Sequence, residues 1–204
     1  MDAFGQGIAR YLNPEDLQRI RGVRIGIAGA GGLGSNCAWM LVRSGFIEFV
    51  LVDHDRVEAS NLNRQFYFAN QIGQPKVEAL RRNLLAIHPA VSVLAVEAKV
   101  VPANAVSLFA DCHAVIEALD EACDKKMFVE ALLPTGKFLV AASGIAGHGD
   151  SDRITTRRLA PNFFLVGDGV SEASGDCPPF APCVALAAAK QADLVLDWAL
   201  GRTP

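Results

Sequence analysis

The sequence predicts an α/β fold in which a mostly parallel sheet is covered by helices on both faces. Three observations lead to this prediction. Short apolar runs alternate with longer helical stretches as far as residue 143, and a glycine-rich turn follows the first of these runs. The 204 residues are 51% hydrophobic and 20% charged, which is the composition of a globular protein. Strands that alternate with helices run in the same direction and pair in parallel.

Each predicted element has a boundary signal. Asn13 is an N-cap residue ahead of Pro14, which suits the first position of a helix. Gly45 ends the helix after the glycine-rich turn, Pro75 begins the next helix, and Pro89 follows its end. In chain order the elements are a helix over 13–20, a strand over 23–28, a helix over 33–44, a strand over 46–52, a helix over 74–87, a strand over 91–96, a helix over 102–109, a strand over 114–118, a helix over 121–133 and a strand over 138–143.

The pattern changes in the last quarter of the chain. Two runs predict an antiparallel hairpin that is less buried than the earlier strands, and a loop rich in Gly, Ser and Pro leads to a closing helix. These segments are 153–159, 162–166, 167–182 and 181–200. No linker separates them from the rest, so we expect one nucleotide-binding domain over 1–204. Its parts are the helix at 13–20, the core at 22–145, and the hairpin, loop and closing helix at 150–204.

Composition excludes several classes of protein. The formal net charge of −3 argues against nucleic-acid binding, which needs a strongly basic face. Lys190, Asp193 and Asp197 interrupt the most apolar stretch, so we expect no membrane span, and the N-terminus lacks the pattern of a secretory signal. Five cysteines without regular spacing do not predict a disulfide framework. We therefore expect a soluble, cytoplasmic protein.

The glycine-rich turn contains Gly29, Gly31, Gly32 and Gly34 in the pattern G-x-G-x-x-G. It lies between a predicted strand and a predicted helix, where the glycines let backbone amides approach a phosphate at the helix N-terminus. Asp53 ends the second strand about 20 residues later, at the spacing of an acid that holds ribose hydroxyls. These features predict a Rossmann-like, doubly wound sheet. They leave NAD, FAD, S-adenosylmethionine and ATP open as ligands.

Three charged residues are expected at the same edge of the sheet. Arg64 lies in a polar segment after the second strand, Lys76 is in the first turn of a helix, and Asp120 follows the fourth strand. Arg64 and Lys76 can neutralise a triphosphate, and Asp120 can hold Mg²⁺. The positive charge of Lys76 is unfavourable at a helix N-terminus, where the helix dipole is also positive, so it needs a compensating anion. Taken singly, Arg64 could be a surface ion-pair partner, Lys76 a solvated residue and Asp120 a helix cap. Asp55 and Glu117 are weaker candidates for the site.

Two further motifs accompany the glycine turn: Ser-Asn-Leu-Asn-Arg-Gln at 60–65 and Gly-Gln-Pro-Lys at 73–76. Together the three resemble the ThiF/MoeB and ubiquitin-activating-enzyme superfamily, and most of all its short ThiF-type sulfur carrier protein adenylyltransferases. The resemblance covers residues from about 10 to 200.

This resemblance implies a function and a set of residue roles. Such enzymes use ATP to adenylate the C-terminal Gly of a small ubiquitin-like sulfur carrier protein ending in Gly-Gly, with release of pyrophosphate. They are typically homodimers. By position, Asp53 corresponds to the ribose ligand, Asn61, Arg64 and Lys76 to phosphate contacts, and Asp120 to the Mg²⁺ ligand. Similarity to ThiF weakly favours thiamine biosynthesis as the pathway.

The sequence departs from the family pattern in its cysteines and near its N-terminus. Larger members have two C-x-x-C pairs for zinc, whereas Cys177 and Cys183 form no such pair, and we expect no zinc. Cys177 is the only stand-in for a cysteine that joins the carrier covalently. An arginine expected near Asn13 is missing, so no arginine is predicted to reach a neighbouring subunit's site.

Other functions compete with adenylation. A NAD-dependent oxidoreductase would need a proton donor, and the four histidines are scattered along the chain. A related enzyme could activate a carboxylate on tRNA, although the acidic net charge disfavours tRNA. A non-catalytic partner of an activating enzyme would not need Arg64, Lys76 and Asp120. Adenylation fits the absence of a general base, because a C-terminal carboxylate with a pKa of about 3.5 is already ionised at pH 7.

Overall fold

The computed structural model describes residues 3–202, with seven strands in one sheet. The strands are β1 (Arg24–Ala28), β2 (Glu48–Asp53), β3 (Ser92–Glu97), β4 (Ala114–Glu117), β5 (Phe138–Ala142), β6 (Thr155–Ala160) and β7 (Phe163–Gly167). They lie in the order β3-β2-β1-β4-β5-β7-β6, and every pair is parallel except β6 with β7. The predicted doubly wound, mostly parallel sheet with a C-terminal antiparallel extension is confirmed. The single-domain boundaries at 1 and 204 fall on residues outside the described range.

Helices cover both faces of this sheet. They are α1 (Ala3–Ile8), α2 (Pro14–Arg21), α3 (Gly32–Arg43), α4 (Lys76–Ile87), α5 (Ala105–Leu108), α6 (Ala122–Leu132) and α7 (Ala181–Ala199). One core lies between the sheet and α3, α4 and α7, and the other lies between the opposite face and α5 and α6. In the described part of the chain, no helix combines the length and apolarity that a bilayer crossing requires.

Three elements differ from the prediction. Helix α1 is not predicted, because Gly5 and Gly7 weaken its helical signal. The helix expected over 102–109 shortens to α5, since the Asn104 side chain accepts a hydrogen bond from the Val101 amide (2.8 Å) just ahead of it. The hairpin is exposed along β6 as predicted, but the expectation of low burial is wrong for β7. Strand β7 pairs with β5 and so lies inside the sheet.

The close contact between the glycine turn and α3 gives a testable prediction about stability. A Cβ atom on Gly34 would lie 1.9 Å from the Gly29 carbonyl oxygen, which is backbone and cannot rotate away. Gly34→Ala should therefore destabilise the protein by about 3 kcal/mol, despite the helix propensity of alanine. Urea unfolding of this variant should be compared with Gly7→Ala, where a Cβ meets nothing within 4 Å. Equal stability of the two variants would contradict this packing.

Candidate functional site

The glycine turn is held between the ends of three strands. The Gly29 amide donates to the Val52 carbonyl (2.8 Å) in β2, and a Cβ on Gly29 would lie 2.4 Å from the Ala118 carbonyl oxygen just after β4. Gly29 has a φ of 94°, which favours glycine. Only a residue without a side chain fits here, so the turn packs directly against the backbone that follows β4.

Asp53 lies at the end of β2 and contacts the same turn. Its Oδ2 accepts a hydrogen bond from the Ala30 amide (2.6 Å) and its Oδ1 accepts one from the Asp55 amide (2.7 Å). The residue is buried. An ionised carboxylate has further lone pairs, so Asp53 can accept ribose hydroxyl groups while it holds the turn.

Two side chains in the first turn of α3 anchor the segment that carries Arg64. Ser35 Oγ donates to the Gly31 carbonyl (2.6 Å) and accepts from the Phe66 amide (3.0 Å). Asn36 Nδ2 donates to the carbonyls of Gly32 (2.6 Å) and Arg64 (2.9 Å). Sequence analysis missed Ser35 and Asn36, because their partners at positions 64 and 66 lie far away in the chain.

Arg64 lies against the helix start. Its Cγ and Cδ atoms are 3.7 Å and 3.9 Å from the position that a Cβ added to Gly32 would occupy. Its Nη1 donates to the Ser60 carbonyl (3.0 Å) and to Asn63 Oδ1 (2.8 Å). A guanidinium has five N–H donors, so this anchored group retains donors for an anion.

Two amide side chains lie in the same segment. Asn61 is buried, and its Oδ1 accepts from the Glu58 amide (3.1 Å), which stabilises the turn ahead of Arg64. Its role as a phosphate contact stays a prediction. The Nε2 atom of Gln65 lies 3.8 Å from the position that a Cβ added to Gly31 would occupy. The buried Oε1 atom of Gln65 has no hydrogen-bond partner within residues 3–202. A buried acceptor left open beside the turn is a group that a ligand can satisfy.

Lys76 is almost fully buried at the start of α4. Its Nζ lies 2.7 Å from Asp55 Oδ2, so Asp55 supplies the compensating anion that the sequence requires. Partial burial raises the pKa of the Asp55 carboxyl, but the hydrogen bond and charge of Lys76, with help from His54, outweigh burial and lower this pKa below its ordinary value. Tyr67 Oη connects this lysine to the glycine turn, at 2.7 Å from the Ala30 carbonyl oxygen and 3.3 Å from that of Lys76.

Asp120 lies in the exposed loop between β4 and α6. Its Oδ1 accepts from the neighbouring Glu121 amide (3.1 Å). Glu121, rather than Asp120, occupies the N-cap position of α6, which argues against the alternative role of Asp120 as a helix cap. The Ala118 amide donates to the Ala28 carbonyl (2.8 Å), so the Asp120 loop begins directly against the glycine turn. An exposed carboxylate with one local bond fits Mg²⁺, which keeps water and phosphate oxygens as its other ligands.

One group of potential metal ligands occurs within residues 3–202: Asp53, His54 and Asp55, with ligand atoms within 4.8 Å of one another. Each Asp53 oxygen accepts a hydrogen bond from a backbone amide, and Asp55 is paired with Lys76. This group therefore serves the turn and the lysine. The five cysteines are free thiols, of which Cys123 is exposed and Cys177 half-buried.

The segments that carry Arg64, Lys76 and Asp120 thus each contact the glycine turn, and their joint role stays a prediction. A sequence model of the ThiF family matches residues 6–204. Among curated relatives, the ubiquitin-like modifier-activating enzyme 5 of Caenorhabditis elegans is 44% identical over 78 residues, which cover 38% of this chain and 19% of that protein. The sulfur carrier protein adenylyltransferase of Thermus thermophilus is 32% identical over 136 residues, covering 66% of this chain and 50% of that protein. The chain therefore spans half or less of the length of these relatives.

Solved structures show the same fold. The E. coli tRNA N6-threonylcarbamoyladenosine dehydratase in complex with AMP superposes with a TM-score of 0.89 at 22% identity, over 98% of this chain and 97% of that one. The same enzyme in complex with ATP superposes with a TM-score of 0.88 at 23% identity.

Proposed function

The chain belongs to the ThiF family, and from that premise we propose that it uses ATP to adenylate a carboxylate and releases pyrophosphate. One observation carries the proposal. Arg64 packs on Gly32, Lys76 is tied through Tyr67 to Ala30, and the Asp120 loop begins against Gly29. The segments that carry two cations and an exposed acid therefore all contact one glycine turn, which supports binding of phosphate there. A nicotinamide site has no need for this much charge beyond the pyrophosphate.

The proposed reaction depends on position and charge. The amides at the start of α3 face the phosphates, and Asp53 accepts the ribose hydroxyls. Arg64 and Lys76 stabilise negative charge as pyrophosphate leaves. Asp120 would hold Mg²⁺, which supplies further neutralisation of the phosphates. The attacking carboxylate is already ionised at neutral pH, so the protein needs only to align it with the α-phosphate.

We propose that the carboxylate belongs to the C-terminal Gly of a small ubiquitin-like sulfur carrier protein. The similarity to the Thermus sulfur carrier protein adenylyltransferase supports this choice. The same proposal specifies a ThiS-like carrier and a place in thiamine biosynthesis. It also includes a cytoplasmic location, a homodimer and a single domain over 1–204. The structural likeness to a tRNA-modifying enzyme keeps a tRNA carboxylate as the second candidate, although the net charge of −3 disfavours it.

The test is ATP–pyrophosphate exchange with purified protein. We expect exchange with ThiS-like carriers that end in Gly-Gly and none with the same carriers shortened by their last Gly. Exchange that instead depends on a tRNA bearing a carboxylate would favour the second candidate. Binding of NADH without binding of ATP would contradict adenylation altogether.

A further inference from the structure

Glu117, the last residue of β4, has its carboxyl group in a place closed to solvent. The residue is fully buried and its side chain is 1% exposed. Lys125 of α6 places its Nζ 3.0 Å from Oε1 and 3.2 Å from Oε2 of this carboxylate. Burial of an ion pair costs free energy that the pair itself only partly recovers, so the pair is weak evidence of a role in stability alone.

The remaining contacts of Glu117 hold the end of β4 and the start of the loop that carries Asp120. Oε1 accepts from the Leu119 amide (2.8 Å), the residue directly before Asp120. Oε2 accepts from the Ala142 amide (3.4 Å) at the end of β5. The Glu117 carbonyl accepts from Gln191 Nε2 (3.2 Å) in α7, which fixes the strand end from the opposite face of the sheet.

Asp120 itself is exposed, and within residues 3–202 its side chain accepts one hydrogen bond, from the adjacent Glu121 amide. The position of its carboxylate is therefore set by the backbone on either side. Glu117 holds that backbone on the strand side through Leu119. Lys125 holds the same backbone on the helix side. Its amide donates to the Glu121 carbonyl (3.0 Å), and its Nζ donates to the Glu117 carboxylate.

We propose that Glu117 and Lys125 are positioning residues that fix the Asp120 loop for binding of the metal–nucleotide complex. This inference rests on the proposed function, and it assigns no contact with substrate to either residue. Outer partners that orient a metal ligand typically contribute about 10–100-fold to metal affinity. A role in folding alone would change stability and leave metal affinity as it is.

The test measures Mn²⁺ binding by electron paramagnetic resonance in the presence of a non-hydrolysable ATP analogue, together with thermal melting. The variants are Lys125→Met, Lys125→Arg, and the double variant Glu117→Gln with Lys125→Met, which leaves no unpaired buried charge. The control is Lys126→Met, since Lys126 is exposed and pairs with Glu130 at 3.9 Å. We expect Lys125→Met and the double variant to weaken Mn²⁺ binding about tenfold or more, and Lys125→Arg to restore it to within about threefold of wild type.

Wild-type Mn²⁺ affinity in either folded variant that lacks the pair would overturn the proposal. Equal weakening in the Lys126→Met control would also overturn it. Failure of the proposed function looks different, because then the wild type gives no exchange with any carboxylate while Mn²⁺–nucleotide binding still depends on Lys125. Asp120→Asn must also weaken Mn²⁺ binding, and if it does not, there is no metal ligand for the pair to position.

Discussion

Asp120→Ala should reduce carrier-dependent ATP–pyrophosphate exchange on the order of a hundredfold. Loss of one preorganised charge at a reacting phosphate raises the barrier by about 3 kcal/mol. The side chain is exposed and its one hydrogen bond is to the adjacent amide, so its removal should leave the fold intact. The effect should fall on turnover and on the dependence of the rate on Mg²⁺.

The matched control for this variant is Glu121→Ala. Glu121 is an exposed acid in the same loop, and its side chain makes no capping hydrogen bond to α6. We expect exchange by this control to stay within about twofold of wild type, with equal melting temperatures for both variants. Near-normal exchange by Asp120→Ala at low Mg²⁺ concentration would show that Asp120 has no role in adenylation.

Arg64→Ala should also lower exchange on the order of a hundredfold, for a different reason. The guanidinium lies beside the helix start, where Nη1 is anchored to Ser60 and Asn63 and other donors remain for phosphate. Its charge grows more important as negative charge develops on the departing pyrophosphate, so both kcat and kcat/KM should fall. Arg64→Lys should recover only part of the rate, because an ammonium cannot keep these bonds and reach phosphate at once.

Exchange kinetics across a series of ATP concentrations measure this effect. Arg82→Ala is the control, as it removes an exposed arginine on α4 that bonds to Gln74 and to the Glu78 carbonyl. A rise in KM for ATP with unchanged kcat in Arg64→Ala would show that Arg64 binds substrate and transition state equally. That result would contradict its role in stabilising the leaving group.

The parts of the site that sequence predicts are those with short-range signals. The glycine turn and Asp53 have a fixed spacing along the chain, and the structure brings them within hydrogen-bond distance through Ala30. Arg64, Lys76 and Asp120 each follow a predicted strand or begin a predicted helix, so topology alone places them at one edge. Their chemical roles stay predictions until the variants are assayed.

The supporting contacts could not be predicted, because they join residues that are distant in sequence. Asn36 holds Arg64 through a backbone carbonyl, which has no sequence signature. Asp55 and Glu117 look like weak candidates from position, yet each pairs with a lysine. The buried position of β7 likewise depends on its partner β5, since its own residues resemble those of any hairpin strand.

Asp55, the counter-ion of Lys76, would affect how an adenylating site binds its nucleotide. Without nucleotide, the Lys76 ammonium is paired with the Asp55 carboxylate. An incoming polyphosphate must compete with that carboxylate, so ligands with more negative charge gain more from the exchange, and ATP is favoured over AMP. After pyrophosphate departs, Asp55 can pair with the lysine again, while the adenylyl group stays on the carboxylate that has been activated.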